Sequence, residues 1–260
     1  MSQGYLTVQG LCRNFGGLAA LKDLSFTVSK GEIVGLIGSN GAGKTTAFNV
    51  ISGTIAPSSG KVIFDGKDIS GMRPSKVITL GLGRTFQSTS TYPDVSVAEN
   101  IYRGLLARIK SSSLKTLMGR TTGLIDDHEI EKEIHDILDI VDMRQWHDTP
   151  AGSLACGLQK KLGIAVALAS RPKMLLLDEP AAGLNHEECN ELTALLRKLR
   201  SDYDMTLLLV EHHMAIVMEL CERIIVLAYG QKIAEGSPAE IRQNPAVIEA
   251  YLGAPDYAHA

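Results

Sequence analysis

The chain is poor in several features that mark large protein classes. Its 260 residues include only 4 cysteines, Cys12, Cys156, Cys189 and Cys221, and no two form a C-x-x-C pair. That spacing offers neither a zinc signature nor a disulfide framework. It reads as isolated, buried thiols of a reducing compartment. There is no surplus of positive charge: 26 basic and 29 acidic side chains leave a net charge of −3. Nucleic-acid binders ordinarily carry a basic surplus or stripe, so no nucleic-acid partner is expected. The N-terminus has no basic segment followed by an apolar stretch, so no signal peptide is expected. The longest apolar runs, such as Ile164 to Ala169, fall far short of the roughly 20 residues that span a bilayer. Any membrane association is therefore expected to pass through a partner. Internal repeats and low-complexity tracts are also missing.

What is present is an ordinary globular composition, 45% hydrophobic. The length suits one α/β core with an inserted subdomain better than two independent domains. Short β-like runs, Tyr5 to Val8, Leu24 to Val28, Ile33 to Ile37 and Lys61 to Phe64, open the chain. Pro57-Ser58-Ser59-Gly60 and Asp65-Gly66 supply turns. From Val97 to Asp148 the pattern turns helical, and Ile130, Ile134, Ile137, Leu138 and Val141 share one face of a helix over Asp127 to Val141. The Ser-, Lys- and Thr-rich stretch Lys110 to Gly123 reads as a loop or a loosely held helix. Beyond Ala165 the strands Met174 to Leu177, Thr206 to Val210 and Arg223 to Leu227 return, with a helix over Glu187 to Arg200. Strands alternating with helices predict a parallel core sheet.

One segment carries specific chemistry. Gly38-Ser39-Asn40-Gly41-Ala42-Gly43-Lys44-Thr45 is a complete G-x-x-x-x-G-K-[ST] phosphate loop between an apolar strand and a helix expected over Thr45 to Ser52. Its glycines let backbone N–H groups turn toward a polyphosphate, and the helix adds its positive end. Lys44 is placed to reach β- and γ-phosphates and Thr45 to hold Mg²⁺, with Thr46 next in the phosphate-binding set. A second signal is Met174-Leu175-Leu176-Leu177-Asp178-Glu179, an apolar strand that delivers two carboxylates at its C-terminal end. Asp178 suits a water-mediated Mg²⁺ contact, and Glu179 suits the orientation and deprotonation of an attacking water.

Asp178-Glu179-Pro180 followed by Ala181-Ala182-Gly183-Leu184-Asn185 resembles the Walker B and D-loop of ATP-binding-cassette (ABC) ATPases. The resemblance covers nearly the whole chain. It implies a P-loop NTPase core of ABC ATPase type, with N-terminal antiparallel β strands and an inserted α-helical subdomain. Within one domain spanning 1–260, residues 1–95 and 166–260 would form the nucleotide-binding core and about 96–165 the helical subdomain. It also implies ATP and Mg²⁺ as ligands. Phe15 lies where the family places an aromatic that stacks on adenine, although a core aromatic is the other reading. Gln87, in Arg84-Thr85-Phe86-Gln87, matches the Q-loop glutamine that contacts Mg²⁺ and the attacking water. His212 matches the switch histidine, in preference to the adjacent His213.

One element departs from the family. Where Leu-Ser-Gly-Gly-Gln is usual, this chain reads Leu154-Ala155-Cys156-Gly157-Leu158, then Gln159. The task there is to present a hydroxyl, backbone amides and a helix N-terminus to the γ-phosphate held by another protomer. The hydroxyl is missing, and Leu158 offers no polar group unless Gln159 substitutes. Gly163 and Val166 stand where Glu and Arg are usual. Losing one hydrogen bond to a charged group costs on the order of 1.5–3 kcal/mol. A heterodimer with a different ATPase subunit is therefore expected over a homodimer.

Phe15-Gly16-Gly17-Leu18-Ala19-Ala20-Leu21, the D-loop, Glu211-His212 and the ending Pro245 to Gly253 are similar to the larger ATPase subunit of branched-chain amino-acid importers. That resemblance implies an ATP-hydrolysing subunit on the cytoplasmic face of the inner (plasma) membrane. It would be bound peripherally to integral membrane permease subunits and served indirectly by a periplasmic solute-binding protein. The permease would dock near Gln87 to Asn100. Two alternatives stay open: a low-activity regulatory subunit with a degenerate signature, and a soluble ABC ATPase outside transport.

Overall fold

The computed structural model describes residues 4–85, 91–112 and 127–252. The chain opens with a hairpin of β1 (Leu6–Phe15) and β2 (Leu18–Val28). Gly16, at its turn, takes φ 55°, a left-handed conformation open to glycine without a Cβ penalty. β3 (Ile33–Gly38) is buried throughout and leads into α1 (Lys44–Ile51). Then come β4 (Ser59–Phe64), β5 (Lys67–Asp68), α2 (Pro74–Thr79) and β6 (Leu82–Arg84). A helical stretch follows: α3 (Val97–Ser112), α4 (Asp127–Ile140) and α5 (Cys156–Leu168). A bridge between Ser96 and Pro150 ties the start of α3 to the segment before α5. The α/β rhythm resumes with β7 (Met174–Asp178), α6 (His186–Tyr203), β8 (Thr206–Val210) and α7 (Met214–Leu220). β9 (Arg223–Ala228), β10 (Gln231–Gly236), α8 (Pro238–Gln243) and α9 (Pro245–Leu252) end it.

Among the described residues these strands form two sheets. One is antiparallel, in the order β2-β1-β4-β5. The other runs β10-β9-β3-β8-β7-β6, with every neighbour pair parallel except the β10–β9 hairpin at one edge. Side chains alternate between strand faces with period 2, and this divides the core in two. Ile33, Ile37, Leu175, Leu177, Leu207 and Leu209 pack with the helical layer, including Leu162 of α5 and Leu192 and Leu196 of α6. Val34, Leu36, Met174, Leu176, Leu208 and Val210 point the other way, onto Phe48 of α1 and Leu6, Phe26 and Phe64 of the antiparallel sheet. The parallel register pairs Asp178 with Val210, Leu36 with Val210 and Gly38 with Leu227. The C-terminal ends of β3, β7 and β8 thus reach one edge together, the place where open α/β sheets hold ligands.

The reading of the cysteines needs correction. The thiols are not all buried: Cys189 and Cys221 are, but Cys12 is half-buried and Cys156 is exposed, because it opens α5 at a helix end. Burial pushes the Cys221 thiol up to about 12, with the charges of Glu211 and Glu222 adding to it. Lys110 to Ser112 belong to α3, which agrees with the helical reading of the stretch Lys110 to Gly123. Residues 113–123 of that expectation lie outside the described residues.

Candidate nucleotide-binding site

Two glycines of the phosphate loop sit against backbone that leaves no room for a side chain. A Cβ at Gly38 would collide with the Leu227 carbonyl, and one at Gly43 (φ 103°) would come within 2.7 Å of the Ala20 carbonyl. At Gly41 (φ 80°) a Cβ would meet nothing within 4 Å. The first N–H groups of a helix have no partner within it. α1 has no side-chain cap and no acidic residue in its first turn, so those donors and the positive helix end stay available to an anion. Lys44 arches back over the loop and donates to Gly38 O at 2.6 Å and Ser39 O at 3.0 Å. Only 5% of it is exposed. Burial lowers its pKa, and the charges of Glu179 and Asp178 oppose that shift.

A cavity of about 600 Å³ lies over the loop. It is lined by residues Asn40 to Thr46, by Glu179 and His212, and by Phe15 and Tyr229. Phe15 is therefore not a core aromatic; it is 45% exposed and the Arg13 guanidinium stacks 4.6 Å from its ring centroid. Ser39 and Gly38 lie at the loop's start, beneath the cavity, as acceptors for Lys44.

Glu179 follows β7 in a left-handed conformation (φ 48°), which is costly for a residue with a side chain. It is held there by its N–H, which donates to Val210 O at 2.9 Å. Its carboxylate Oε1 lies 2.9 Å from His212 Nε2. A carboxylate only accepts, so the Nε2 proton sits between them. This places His212, and not His213, beside the acidic group. Asp178 is 2% exposed and does not line the cavity. Its Oδ2 accepts from Arg84 Nη2 at 2.8 Å, and that guanidinium also donates to Asn49 Oδ1 and Ser52 Oγ. Asp178 Oδ1 is buried with no hydrogen-bond partner among the described residues. A buried, unsatisfied carboxylate oxygen is costly, and a Mg²⁺-bound water would satisfy it; Thr45 lies in the first turn of α1. Gln87 lies outside the described residues.

Sequence reading missed two anchors. Glu211 is buried and accepts from Ala181 N (2.7 Å), His212 N (3.0 Å) and His213 N (3.2 Å). It ties the start of the 181–185 loop to the histidine. Arg84 is the other, seated at the end of β6 against Asp178. Both contacts join residues distant in the chain. The only local signal was a charged residue at the end of an apolar strand.

The other end of the candidate machinery is the N-terminus of α5. Its N-cap, Ala155, makes no side-chain bond. Leu158 packs against the helical core. The Gln159 amide donates to Leu154 O at 2.9 Å. Gly157 N donates to Glu188 Oε1 at 3.2 Å, while Glu188 Oε2 accepts from Asn185 N at 2.9 Å. Asn185 in turn caps α6 by accepting from Glu188 N. Gly183 adopts φ 82°, and a Cβ there would lie 3.6 Å from Cys156 Sγ. Ala182 and Leu184 complete this loop, which borders a smaller cavity with Glu179 and His212.

Comparison with known proteins decides the family. A model described as ABC transporter matches residues 21–182, and one described as branched-chain amino acid ATP-binding cassette transporter matches residues 231–257. The chain belongs to the ABC transporter family. The high-affinity branched-chain amino acid transport ATP-binding protein BraF of Pseudomonas aeruginosa is 38% identical to this ABC chain over 253 residues, 97% of this chain and 99% of BraF. Its counterpart LivG of Escherichia coli K12 is 37% identical, with the same shares covered. A crystal structure of a nucleotide-free ATP-binding cassette from an ABC transporter matches with a TM-score of 0.86 at 30% identity, over 97% of this chain and all of that one. The expected ABC ATPase fold is therefore borne out. Among the described residues, no helix is long and apolar enough to cross a membrane.

Proposed function

We propose that this chain is the ATP-binding and ATP-hydrolysing subunit that powers import of a branched-chain amino acid, or a similar small polar solute, through a separate membrane permease. One observation carries the reading: loop residues Asn40 to Thr46, Glu179 and His212 line a single cavity large enough for a nucleotide. The names and coverage of the relatives support the cargo class. The subunit works from the cytoplasmic face of the membrane, bound to its permease.

Residue roles follow from chemistry and position. Backbone N–H groups of Gly41 to Thr46 and the α1 N-terminus bind the β- and γ-phosphates, and Phe15 stacks on the base. Lys44 exchanges its loop carbonyls for phosphate oxygens. Thr45 and Asp178 hold Mg²⁺, which when bound neutralises charge on the phosphate oxygens. Gln87 is assigned the Q-loop contact to metal and water. Glu179 orients the attacking water and takes its proton, and the Nε2–H of His212 keeps that carboxylate in place.

The signature, Leu154 to Leu158, and the loop Ala182 to Asn185 serve the nucleotide of a second protomer. That service is weak. Leu158 and Gln159 face their own chain, and Glu188 takes a first-turn N–H of α5 and sets a negative charge beside it. A phosphate approaching this helix end meets a carboxylate beside the remaining first-turn N–H groups. The partner is accordingly a different ATPase subunit with a complete signature.

The test is steady-state ATP turnover of the purified chain alone and after co-expression with its permease and a second ATPase subunit. Turnover that rises at least tenfold only in the complex is expected. Full family-type turnover by the chain alone, unchanged by Leu158→Gln, would remove the heterodimer. ATP binding by neither preparation would remove the whole reading.

A further inference from the structure

Outside the lining of the nucleotide cavity, the helical layer brings two histidines and a carboxylate to one point. Glu131 and His135 stand one turn apart on α4, and His147 follows the short 3₁₀ turn Arg144–Trp146. Both imidazoles aim Nε2 at the same oxygen: His135 lies 3.2 Å and His147 2.9 Å from Glu131 Oε1. The rings are nearly parallel, 9° apart, with centroids 5.1 Å from each other. One ligand atom from each residue falls within 4.8 Å of the others. None of the three residues takes part in the nucleotide chemistry proposed above.

We propose that Glu131, His135 and His147 form a binding site for a divalent late first-row transition metal, of which Zn²⁺ is the natural occupant. Two imidazole nitrogens and one carboxylate oxygen match the ligand types and number of an open zinc site, with water completing the coordination. Bond lengths of roughly 2.0–2.2 Å need the three donors to close around the ion by only a small movement. Without a metal, both rings share the single oxygen Glu131 Oε1. A dication between the three groups would accept a lone pair from each.

The surroundings support the same reading. His147 Nδ1 is 2.7 Å from Asp148 Oδ1. A carboxylate on the far nitrogen of a ligating histidine fixes its tautomer and directs the lone pair of Nε2 inward. His135 Nδ1 is buried without a hydrogen-bond partner among the described residues, so this ring is held by packing and by whatever its Nε2 meets. The site also has a mechanical connection. His147 O accepts from Ala98 N at 3.0 Å, and Thr149 O accepts from Val97 N at 3.0 Å. The His147–Thr149 stretch thereby caps the first turn of α3. A metal bound here clips α4 to that cap and stiffens the helical layer.

The experiment uses the full chain, freed of metal with a chelator and titrated with Zn²⁺ in the absence of nucleotide. Affinity is read by competition with a chromophoric chelator. Trp146, the sole tryptophan, neighbours His147 and reports locally by fluorescence. One equivalent bound at micromolar Zn²⁺, with a fluorescence change and a raised melting temperature, is expected. His135→Ala with His147→Ala should weaken binding more than tenfold, and Asp148→Asn should weaken it up to roughly tenfold. A Co²⁺-loaded sample gives a check that needs no variant. Its visible spectrum should show nitrogen and oxygen ligation without a thiolate charge-transfer band. A thiolate band, an affinity untouched by the double substitution, or no binding in the micromolar range would overturn the proposal.

Discussion

At the carboxyl edge of the parallel sheet, polar groups are held by one another. Asp178 is paired with Arg84, Glu179 with His212, and Glu211 with three backbone N–H groups. At the N-terminus of α5 the equivalent groups are missing or turned away. Leu158 packs inward, Gln159 bonds to its own chain, and Glu188 covers Gly157 N. The first region is preorganised for a polyanion; the second is closed on itself. In the composite site proposed above, one chain supplies the first region and its partner supplies the second. The difference therefore bears on which copy of the site turns over, and not on whether this chain holds a nucleotide.

The largest effect should come from the first region. Glu179→Gln keeps the shape and the contact to His212 but removes the proton acceptor. Turnover in the assembled complex should fall by about 10²–10⁴-fold, or about 3–5 kcal/mol of barrier, while ATP binding persists. Single-turnover hydrolysis and equilibrium nucleotide binding on the same preparation check it. Retained turnover would take Glu179 out of the proposed role.

Next is Arg84→Ala. It leaves the Asp178 carboxylate buried, with its ion-pair partner gone. Breaking a buried pair from one side costs about 3–5 kcal/mol. Denaturant unfolding of the single variant and of Arg84→Ala with Asp178→Asn separates the causes: the second substitution should recover much of the loss. Equal losses in both would mean that Arg84 acts through Asn49 and Ser52 instead.

How much of this was legible in the sequence differs between the regions for a physical reason. β3, β7 and β8 are covered on both faces, so each is a continuous apolar run, and their expected limits agree with the observed ones to within a residue. β1 was expected to stop at Val8 but runs to Phe15. Register shifts after Val8 and Leu11 break its alternation, which erases the period-2 signal. β10, a polar edge strand, left no such signal. The phosphate loop was readable because its function is contiguous. Arg84, Glu211 and the Glu188–Gly157 contact were not, since each depends on pairing residues 30 or more positions apart. The unusual signature was visible as a list of substitutions. That Leu158 is half-buried against the core, and that the Gln159 amide bonds to Leu154 O, needed three dimensions.

The smaller predictions probe the second region. Glu188→Gln keeps an acceptor for Gly157 N but removes the negative charge from the α5 N-terminus. It also weakens the capping box of α6, so a loss of about 0.5–1 kcal/mol is expected in denaturant unfolding. If charge at that helix end limits the signature, turnover in the assembled complex should rise despite the lower stability. If it falls in step with stability, Glu188 serves structure alone.

Gly163 tests whether α5 is chemically deficient or merely soft. It sits in the middle of the helix, and a Cβ there would meet nothing within 4 Å. A helix-interior glycine costs about 0.5–1 kcal/mol relative to alanine, through the backbone freedom it retains in the unfolded chain. Gly163→Ala should therefore stabilise the protein by that amount and raise the melting temperature by a few degrees. A loss of stability would show that the space beside Gly163 is not open. The variant adds no polar group to the signature. If its turnover in the complex matches wild type, the deficit lies in the missing hydroxyl and amide groups of Ala155 to Leu158; if turnover rises, a poorly held helix end contributes to it.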